Sequence, residues 1–549
     1  MWHFEIDGAW AANRKKRRAT PGDHVTSLTL HKALRDPVLA WAFVLTFIAN
    51  AAFAPFGMMD FNHEAVLFKP AVDLLDGKML FRDSFTQYGP VPVLLQAAAI
   101  SVFGKYVLIA KLEAALVYAV AGAALFASWR LILPSVFAFS AVIAWNLLSY
   151  HFLHPFLAWA SVYALMFQCI GLYVLMSHVQ KRQPLLMLAL GLCAALAILS
   201  KQNVGVYFCV ASCMALVWNA LSVASFRSLF LDLALMAAGG AVVFFIFVLW
   251  LWKNGAVYAW WMDNIEWPQR WAAEFGEKFD PVVMFDRLTA FRLLGRADPF
   301  NPIYSRPDIL FVVLPAVTVG VFAWCIWQEF RRDGRPLIVA LTFVSLASWL
   351  QMYPVPGIGH VWWSTAPMVG LAFWAVRGLA GRRTVIVWLV LALLFAPPAV
   401  RRMYYLITDR LLSGSGVTLI ADRGPLRGIV GTDALARYIS EVQDAIRTNI
   451  GSRNDVVMDG PNGLYLTFID NPVFVHPLWA VPTPAIIPIA FPDFDRVYGT
   501  FVHSNHPFVI SDEEHATAFM SKHPTYKVVA TVKGPRILRL EPETFVLLH

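Results

Sequence analysis

Charge is scarce in this chain. Asp, Glu, Lys and Arg make up 15% of its 549 residues, against 58% apolar residues, and the mean hydropathy is +0.58. So little charge cannot cover a soluble globular protein of this length, which excludes the soluble classes and leaves a polytopic membrane protein. Cysteine is scarce too: Cys169, Cys193, Cys209, Cys213 and Cys325 all fall in apolar runs and none follows Cys325, which gives no basis for disulfides or a Cys-ligated metal. No Gly-rich loop joins a strand to a helix, so no nucleotide cofactor is expected. His63-Glu64 lacks a second His four residues on, and the spacing excludes a zinc-protease helix. There is no clear internal repeat, and the acids cluster at one predicted face, which counts against a transporter or lipid flippase.

What is present is a series of apolar runs. A span needs roughly 20 mainly apolar residues, and about eleven such spans are predicted by this criterion. They run from Pro37 to Phe56, Tyr106 to Ala127, Pro134 to Tyr150, Pro155 to Ser177, Leu185 to Ser200, Val204 to Val223, Ser228 to Trp252, Pro307 to Gln328, Pro336 to Tyr353, Ser364 to Leu379 and Thr384 to Val400. The net charge of +8 does not point to nucleic acid, because the basic residues sit in short clusters between these runs. Arg14-Lys15-Lys16-Arg17-Arg18 precedes the first span without a small-residue cleavage site and predicts a cytoplasmic N-terminus. Arg130, Lys181-Arg182, Arg227, Arg331-Arg332 and Arg382-Arg383 then fall on cytoplasmic turns; Arg401 and Arg402 run against the rule. The longer aromatic and acidic connections, 57–105 and 253–306, fall outside, as does the C-terminal part. The expectation is a multi-pass protein of the plasma (inner) membrane, with membrane lipids as its surroundings.

From about Arg401 the apolar runs shorten to strand length, as in Asp455 to Met458, His506 to Ile510, Tyr526 to Ala530 and Arg536 to Leu540. Between them Thr432 to Asn449 and Glu513 to Lys522 read as helices. The domains expected are a transmembrane part, 1–400, and a small extracytoplasmic α/β domain, 401–549.

The first outer connection is the most informative stretch. Asp60 and Glu64 are one helical turn apart and would share a face with His63 between them, so they can act on one ligand; they equally suit a helix start, Asp60 as N-cap and Glu64 in the first turn. Leu67 to Leu75 is amphipathic, Gly77 and Arg82-Asp83 form a polar break, and Gly89-Pro90 opens an apolar stretch ending at Phe103-Gly104. Both pieces are expected to lie along the outer interface. Asp60, Glu64 and Asp83 are oxygen ligands of the type that hold Mg²⁺ or Mn²⁺, in a pattern specific for neither. Lys201, between two spans at the outer boundary, opposes the usual charge distribution and must find water or an anion, or else snorkel to the headgroups. Gln202 and Asn203 add uncharged hydrogen-bond donors. His360, before Trp362-Trp363, suits an interface anchor. Trp260, Trp261, Trp267 and Trp271 predict an amphipathic helix lying as an aromatic belt on the outer leaflet, or else a sugar-stacking platform or lid.

An acid after the first span, a Gly-Lys break at Gly77-Lys78, Arg82-Asp83, and Tyr88-Gly89-Pro90 before a short helix ending in Phe103-Gly104 resemble the first outer loop of the GT-C superfamily of membrane glycosyltransferases. The resemblance extends to Ser200-Lys201-Gln202-Asn203, to the Tyr353 to Pro367 turn and to the small C-terminal domain. It implies the GT-C fold and transfer of a sugar from a polyprenyl-phosphate carrier, as in the aminoarabinose, protein mannosyl and arabinofuranosyl transferases. By similarity Asp60 is the base and His360 a binder near the donor site; the anion that Lys201 calls for is then the carrier phosphate, with Arg82 a further candidate for it, and Glu64, Asp83, Tyr88, Gln202 and Asn203 are the candidates for binding substrate. The acceptor would be a cell-envelope glycan, a lipid or a protein. In the family a second acid sometimes follows the first directly; here Phe61 stands in that place, and the neighbouring acid is Glu64. Against this reading stand a transporter or flippase and a non-catalytic glycan-binding membrane subunit.

Overall fold

The computed structural model describes residues 36–55, 61–149, 156–223, 226–275, 314–330, 335–351, 358–377, 417–473, 476, 478–479, 491–535 and 544–549. Asp60, the eleventh predicted span at Thr384 to Val400, the basic N-terminal cluster and the predicted strand Arg536 to Leu540 lie outside these residues.

The apolar runs form helices, in which the backbone groups satisfy one another without water. Helix α1 (Pro37–Ala51) begins at Asp36, whose carboxylate accepts from the Val38 amide at 3.0 Å, with Pro37 at the first helical position, where its missing N–H costs nothing. There follow α2 (Ala65–Leu75), α3 (Pro90–Phe103), α4 (Val107–Arg130), α5 (Ser135–Leu147), α6 (Ala160–Gln180), α7 (Leu185–Ile198), α8 (Gln202–Val223) and α9 (Phe226–Lys253). Then come α10 (Val257–Trp261), a π-helical turn (Met262–Glu266), α11 (Trp267–Phe275), α12 (Leu314–Phe330), α13 (Pro336–Leu350), α14 (Ile358–Ser364) and α15 (Ala366–Val376). Four of these, α4, α6, α8 and α9, are long and apolar enough to cross a membrane, and α1, α3, α5, α7, α12, α13 and α15 are shorter apolar helices. Helix α4 packs between α1 and α6, α7 between α6 and α9, and α13 against α8, α6 and α12.

Charge marks the two ends of this bundle. At one end Arg130 lies 3.5 Å from Asp36, and Asp232 receives His178 at 3.1 Å and Arg182 at 3.2 Å. At the other end buried Lys111, on α4, pairs with Glu64. Helix α2 is more deeply buried than an interfacial helix: it packs on α3 and on the C-terminal unit, and its Lys69 and Asp73 form a fully buried i,i+4 ion pair. Lys78, at 3.2 Å, and Ser84 Oγ, at 2.6 Å, complete the surroundings of Asp73.

The C-terminal unit carries a small hairpin, β1 (Val417–Leu419) and β2 (Val430–Thr432), followed by α16 (Asp433–Asn449), β3 (Val456–Asp459), a 3₁₀ turn (Gly463–Phe468), α17 (Phe494–Asn505), β4 (Phe508–Ser511), α18 (Glu513–Lys522), β5 (Val528–Lys533) and β6 (Thr544–Leu548). The sheet order is β3-β4-β6-β5. Strands β3 and β4 are parallel, with Val456 opposite Phe508, and the other pairs are antiparallel. Sequence reading places β3, β4, β5, α16 and α18 but misses β6, a buried apolar run at the very end of the chain whose place between β4 and β5 depends on long-range pairing.

Candidate functional site

Helices α7 and α8 are joined by a turn of three residues, Leu199, Ser200 and Lys201, held by the amides of Ser200 and Lys201 donating to the Ala197 carbonyl at 3.2 and 2.9 Å. This turn presents the Lys201 ammonium to the start of α6, where Nζ donates to Ser161 Oγ at 2.8 Å. Burial lowers the Lys201 ammonium to about 7. The next residue, Gln202, sends its amide nitrogen to Asn264 Oδ1 at 2.7 Å and, at 3.3 Å each, to the carbonyls of Asn264 and Gln87. Asn203 turns its side-chain oxygen to the Val204 amide at 3.0 Å.

The Tyr-Gly-Pro segment lies directly on this turn. The Val91 amide donates to the Leu199 carbonyl at 3.1 Å, and a Cβ on Gly89 would stand 1.9 Å from the same oxygen. Only a glycine allows this approach. Tyr88 meets the edge of Trp159 with ring centroids 5.4 Å apart, and His63 meets the same indole at 5.3 Å. Since Trp159 and Ser161 both belong to the start of α6, three segments far apart in sequence, 61–64, 86–91 and 199–203, converge there.

The remaining candidates make other contacts. Glu64 is buried in its ion pair with Lys111. Arg82 and Asp83 form a two-point pair at 2.8 and 2.7 Å; Arg82 also donates to the Asn254 carbonyl at 2.9 Å, and Asp83 accepts from the Met79 amide at 2.8 Å. Their hydrogen bond holds the Asp83 carboxyl below its usual range and the guanidinium above its own. This pair fastens the polar break to the end of α9. His360, on α14, lies 5.4 Å from the Trp363 ring, whose indole N–H donates to Tyr118 Oη at 2.7 Å. Asp60 lies outside the described residues, directly before Phe61, which is buried and stacks on Tyr465 of the C-terminal unit with centroids 4.9 Å apart. Two of the three carboxylates suited to Mg²⁺ or Mn²⁺, Glu64 and Asp83, are thus each paired with a cation of the chain.

Sequence reading misses several members of this site. Lys111 carried a signal, a charge inside an apolar run. Ser161 and Trp159 carried none. In the π-helical turn Asp263 is 1% exposed and accepts, among the described residues, a long hydrogen bond of 3.4 Å from the Thr86 amide, and burial pushes its carboxyl well above the ordinary range. Its neighbour Asn264 donates to the Thr86 carbonyl at 3.1 Å. Trp267, read as part of an interfacial belt, is instead 1% exposed; it packs with Leu478, Phe491 and Phe494 and donates to Gln87 Oε1 at 3.2 Å. Its ring serves the junction between this loop and the C-terminal unit.

No protein-family model matches the sequence, and no curated protein sequence matches it. Solved structures do. An oligosaccharyltransferase from Archaeoglobus fulgidus in complex with Zn and sulfate superposes with a TM-score of 0.53 at 12% identity, covering 86% of this chain and 68% of that one. AglB from the same organism, in complex with an inhibitory peptide and a dolichol-phosphate, gives 0.52 at 12% identity over 88% and 70% of the two chains. ArnT from Cupriavidus metallidurans in the apo state gives 0.52 at 12% identity over 94% of this chain and 98% of that one. Likeness at such identity is likeness of fold: this chain has the GT-C fold that the two kinds of glycosyltransferase share.

Proposed function

We propose that the chain is a membrane glycosyltransferase that moves a sugar from a polyprenyl-phosphate carrier to a cell-envelope glycan, lipid or protein hydroxyl at the outer face of the membrane. The observation that carries this reading is the Lys201 ammonium, held beside Ser161 on the α7–α8 turn whose Leu199 carbonyl lies against Gly89. A cation at that depth suits a lipid-linked phosphate. The fold adds support, since AglB, which shares it, is known in complex with a dolichol-phosphate and a peptide.

The reaction is a single displacement. The acceptor oxygen forms a bond to the anomeric carbon as the bond from that carbon to the phosphate oxygen breaks, and the configuration inverts. Asp60 takes the acceptor proton. Lys201, with Arg82, neutralises the departing polyprenyl phosphate. Gln202 and Asn203 orient donor oxygens at the α8 start, Tyr88 and His360 supply flat surfaces for the sugar, and Asp83 and Glu64 order the cations beside the substrate. In this reading the basic bundle end faces the cytoplasm.

The test is transfer from radiolabelled polyprenyl-phosphate sugars to envelope lipid extract by purified protein and by Asp60→Asn. Loss of a general base lowers the rate by about 10²–10⁴-fold, and that is the expected outcome. Equal transfer by both proteins would remove Asp60 from the role of base. No transfer from any donor by folded protein would overturn the enzyme reading in favour of a glycan-binding subunit or a flippase.

A further inference from the structure

At the bundle end that carries Arg130 and Arg182, away from Lys201, helices α12, α13 and α15 leave a groove of about 450 Å³, open along one side. Its walls are apolar, with Val317 and Val321 from α12 and the indoles of Trp324 and Trp374, whose centroids are 5.4 Å apart. Two guanidiniums border it. Arg377 lies 4.6 Å above the Trp374 ring, and Arg335 lies 5.9 Å from the same ring and 5.4 Å from Trp324. Both guanidiniums thus lie on one indole ring, and Arg377 also donates to the Ile132 carbonyl at 3.4 Å. Arg335 is exposed, forms no ion pair among the described residues, and directly precedes Pro336 at the N-terminus of α13, where the helix dipole adds positive potential. The polar end of the groove calls for an anion and its length calls for hydrocarbon. Free phosphate satisfies only the first demand, whereas a phosphate carrying an acyl chain satisfies both. Basic pockets between membrane helices bind anionic headgroups for the same reason.

We infer that this groove binds one anionic phospholipid, its phosphate between Arg335 and Arg377 and an acyl chain along Val317 and Val321. The site is separate from the proposed transfer reaction and stands without it.

The experiment uses full-length protein, stripped of lipid in an uncharged detergent and titrated with phosphatidylglycerol or phosphatidylcholine under native mass spectrometry. One phosphatidylglycerol is retained at a concentration about tenfold lower than phosphatidylcholine, roughly 1.4 kcal/mol. Inorganic phosphate in excess does not displace it. The double variant Arg335→Gln, Arg377→Gln abolishes the preference. Gly320→Phe keeps both guanidiniums and fills the groove, since a Cβ at Gly320 meets nothing within 4 Å, and it abolishes retention of either lipid. Unaltered thermal unfolding midpoints certify the variants as folded. Equal retention of the two lipids, displacement by phosphate alone, or undiminished retention by Gly320→Phe would each overturn the assignment. So would efficient cross-linking in the bilayer of Val321→Cys to cysteines placed between 384 and 400, which would show that the chain itself fills the groove.

Discussion

Among the described residues the Lys201 ammonium donates to Ser161 Oγ at 2.8 Å, and burial holds it at about 7 rather than near the usual lysine value. The sign of the consequence follows directly. The protonated form attracts a carrier phosphate, so the unliganded site binds it best below about pH 7 and loses the attraction as the proton leaves at higher pH. A bound phosphate stabilises the charged form, so the donor-saturated enzyme keeps its proton to higher pH. On the proposed reaction, donor KM is flat below that pH and rises between about pH 7 and pH 9, while kcat changes less. Lys201→Arg, whose charge is permanent, flattens the KM profile, and Lys201→Met lowers kcat/KM by about 10²–10³-fold. The steady-state pH profile of both variants is the check; an unchanged rise of KM in Lys201→Arg would place the titrating group elsewhere. Other charged candidates are tied differently. Glu64 answers Lys111, and Asp83 answers Arg82, so each is spoken for before any substrate arrives.

At the level of elements, the site is a junction between the Tyr-Gly-Pro segment and the α7–α8 turn, and Gly89 decides how closely they approach. A methyl group there would lie 1.9 Å from the Leu199 carbonyl oxygen, a backbone atom that cannot swing aside. Gly89→Ala therefore displaces either the start of α3 or the turn that carries Lys201. The expected cost is about 1–3 kcal/mol, or more, in stability, with a fall in transfer larger than the loss of folded protein. Gly499→Ala on α17 is the control: nothing lies within 4 Å of its Cβ, and the gain in helix propensity should hold or raise the unfolding midpoint. Comparable midpoints for the two variants would show that the junction yields. The helices on either side of this junction are legible in sequence, because an apolar run reports its own helix: Leu185 to Ser200 is expected and Leu185–Ile198 is found. The Tyr88-Gly89-Pro90 motif is legible too, but what it touches is not. Leu199, Ser161 and Asn264 are supplied by other segments, and no local pattern marks Asn264 as the partner of Gln202 or Asp263 as a buried acid. Such contacts follow from packing rather than from periodicity.

For the molecule as a whole, the C-terminal unit is docked by backbone hydrogen bonds onto Pro55 and Phe61. The Val430 amide donates to the Pro55 carbonyl at 2.7 Å, and the Leu464 amide to the Phe61 carbonyl at 3.2 Å, so the residues flanking 56–60 on both sides are fixed by the same unit. Further ties run from the Val107 amide to the Pro425 carbonyl at 2.9 Å and from Lys78 Nζ to the Pro472 carbonyl at 2.8 Å. The composition change near Arg401 predicts that a second unit follows the helices; it does not predict which residues of the first connection that unit would touch. Tyr465 is the test of that coupling. It stacks on Phe61, meets Phe545 edge-on at 5.2 Å, and shares a 2.5 Å hydrogen bond with Tyr438. Truncation of a buried aromatic costs about 3–5 kcal/mol, and at Tyr465 the loss falls on the junction rather than on the helix bundle. Tyr465→Ala should leave helix content intact, increase limited proteolysis between α1 and α2, and lower transfer with donor KM little changed, because the turn that carries Lys201 is fixed by contacts of its own. If cleavage between α1 and α2 does not increase, that connection is held by the bundle alone, and the C-terminal unit plays no part in positioning Asp60.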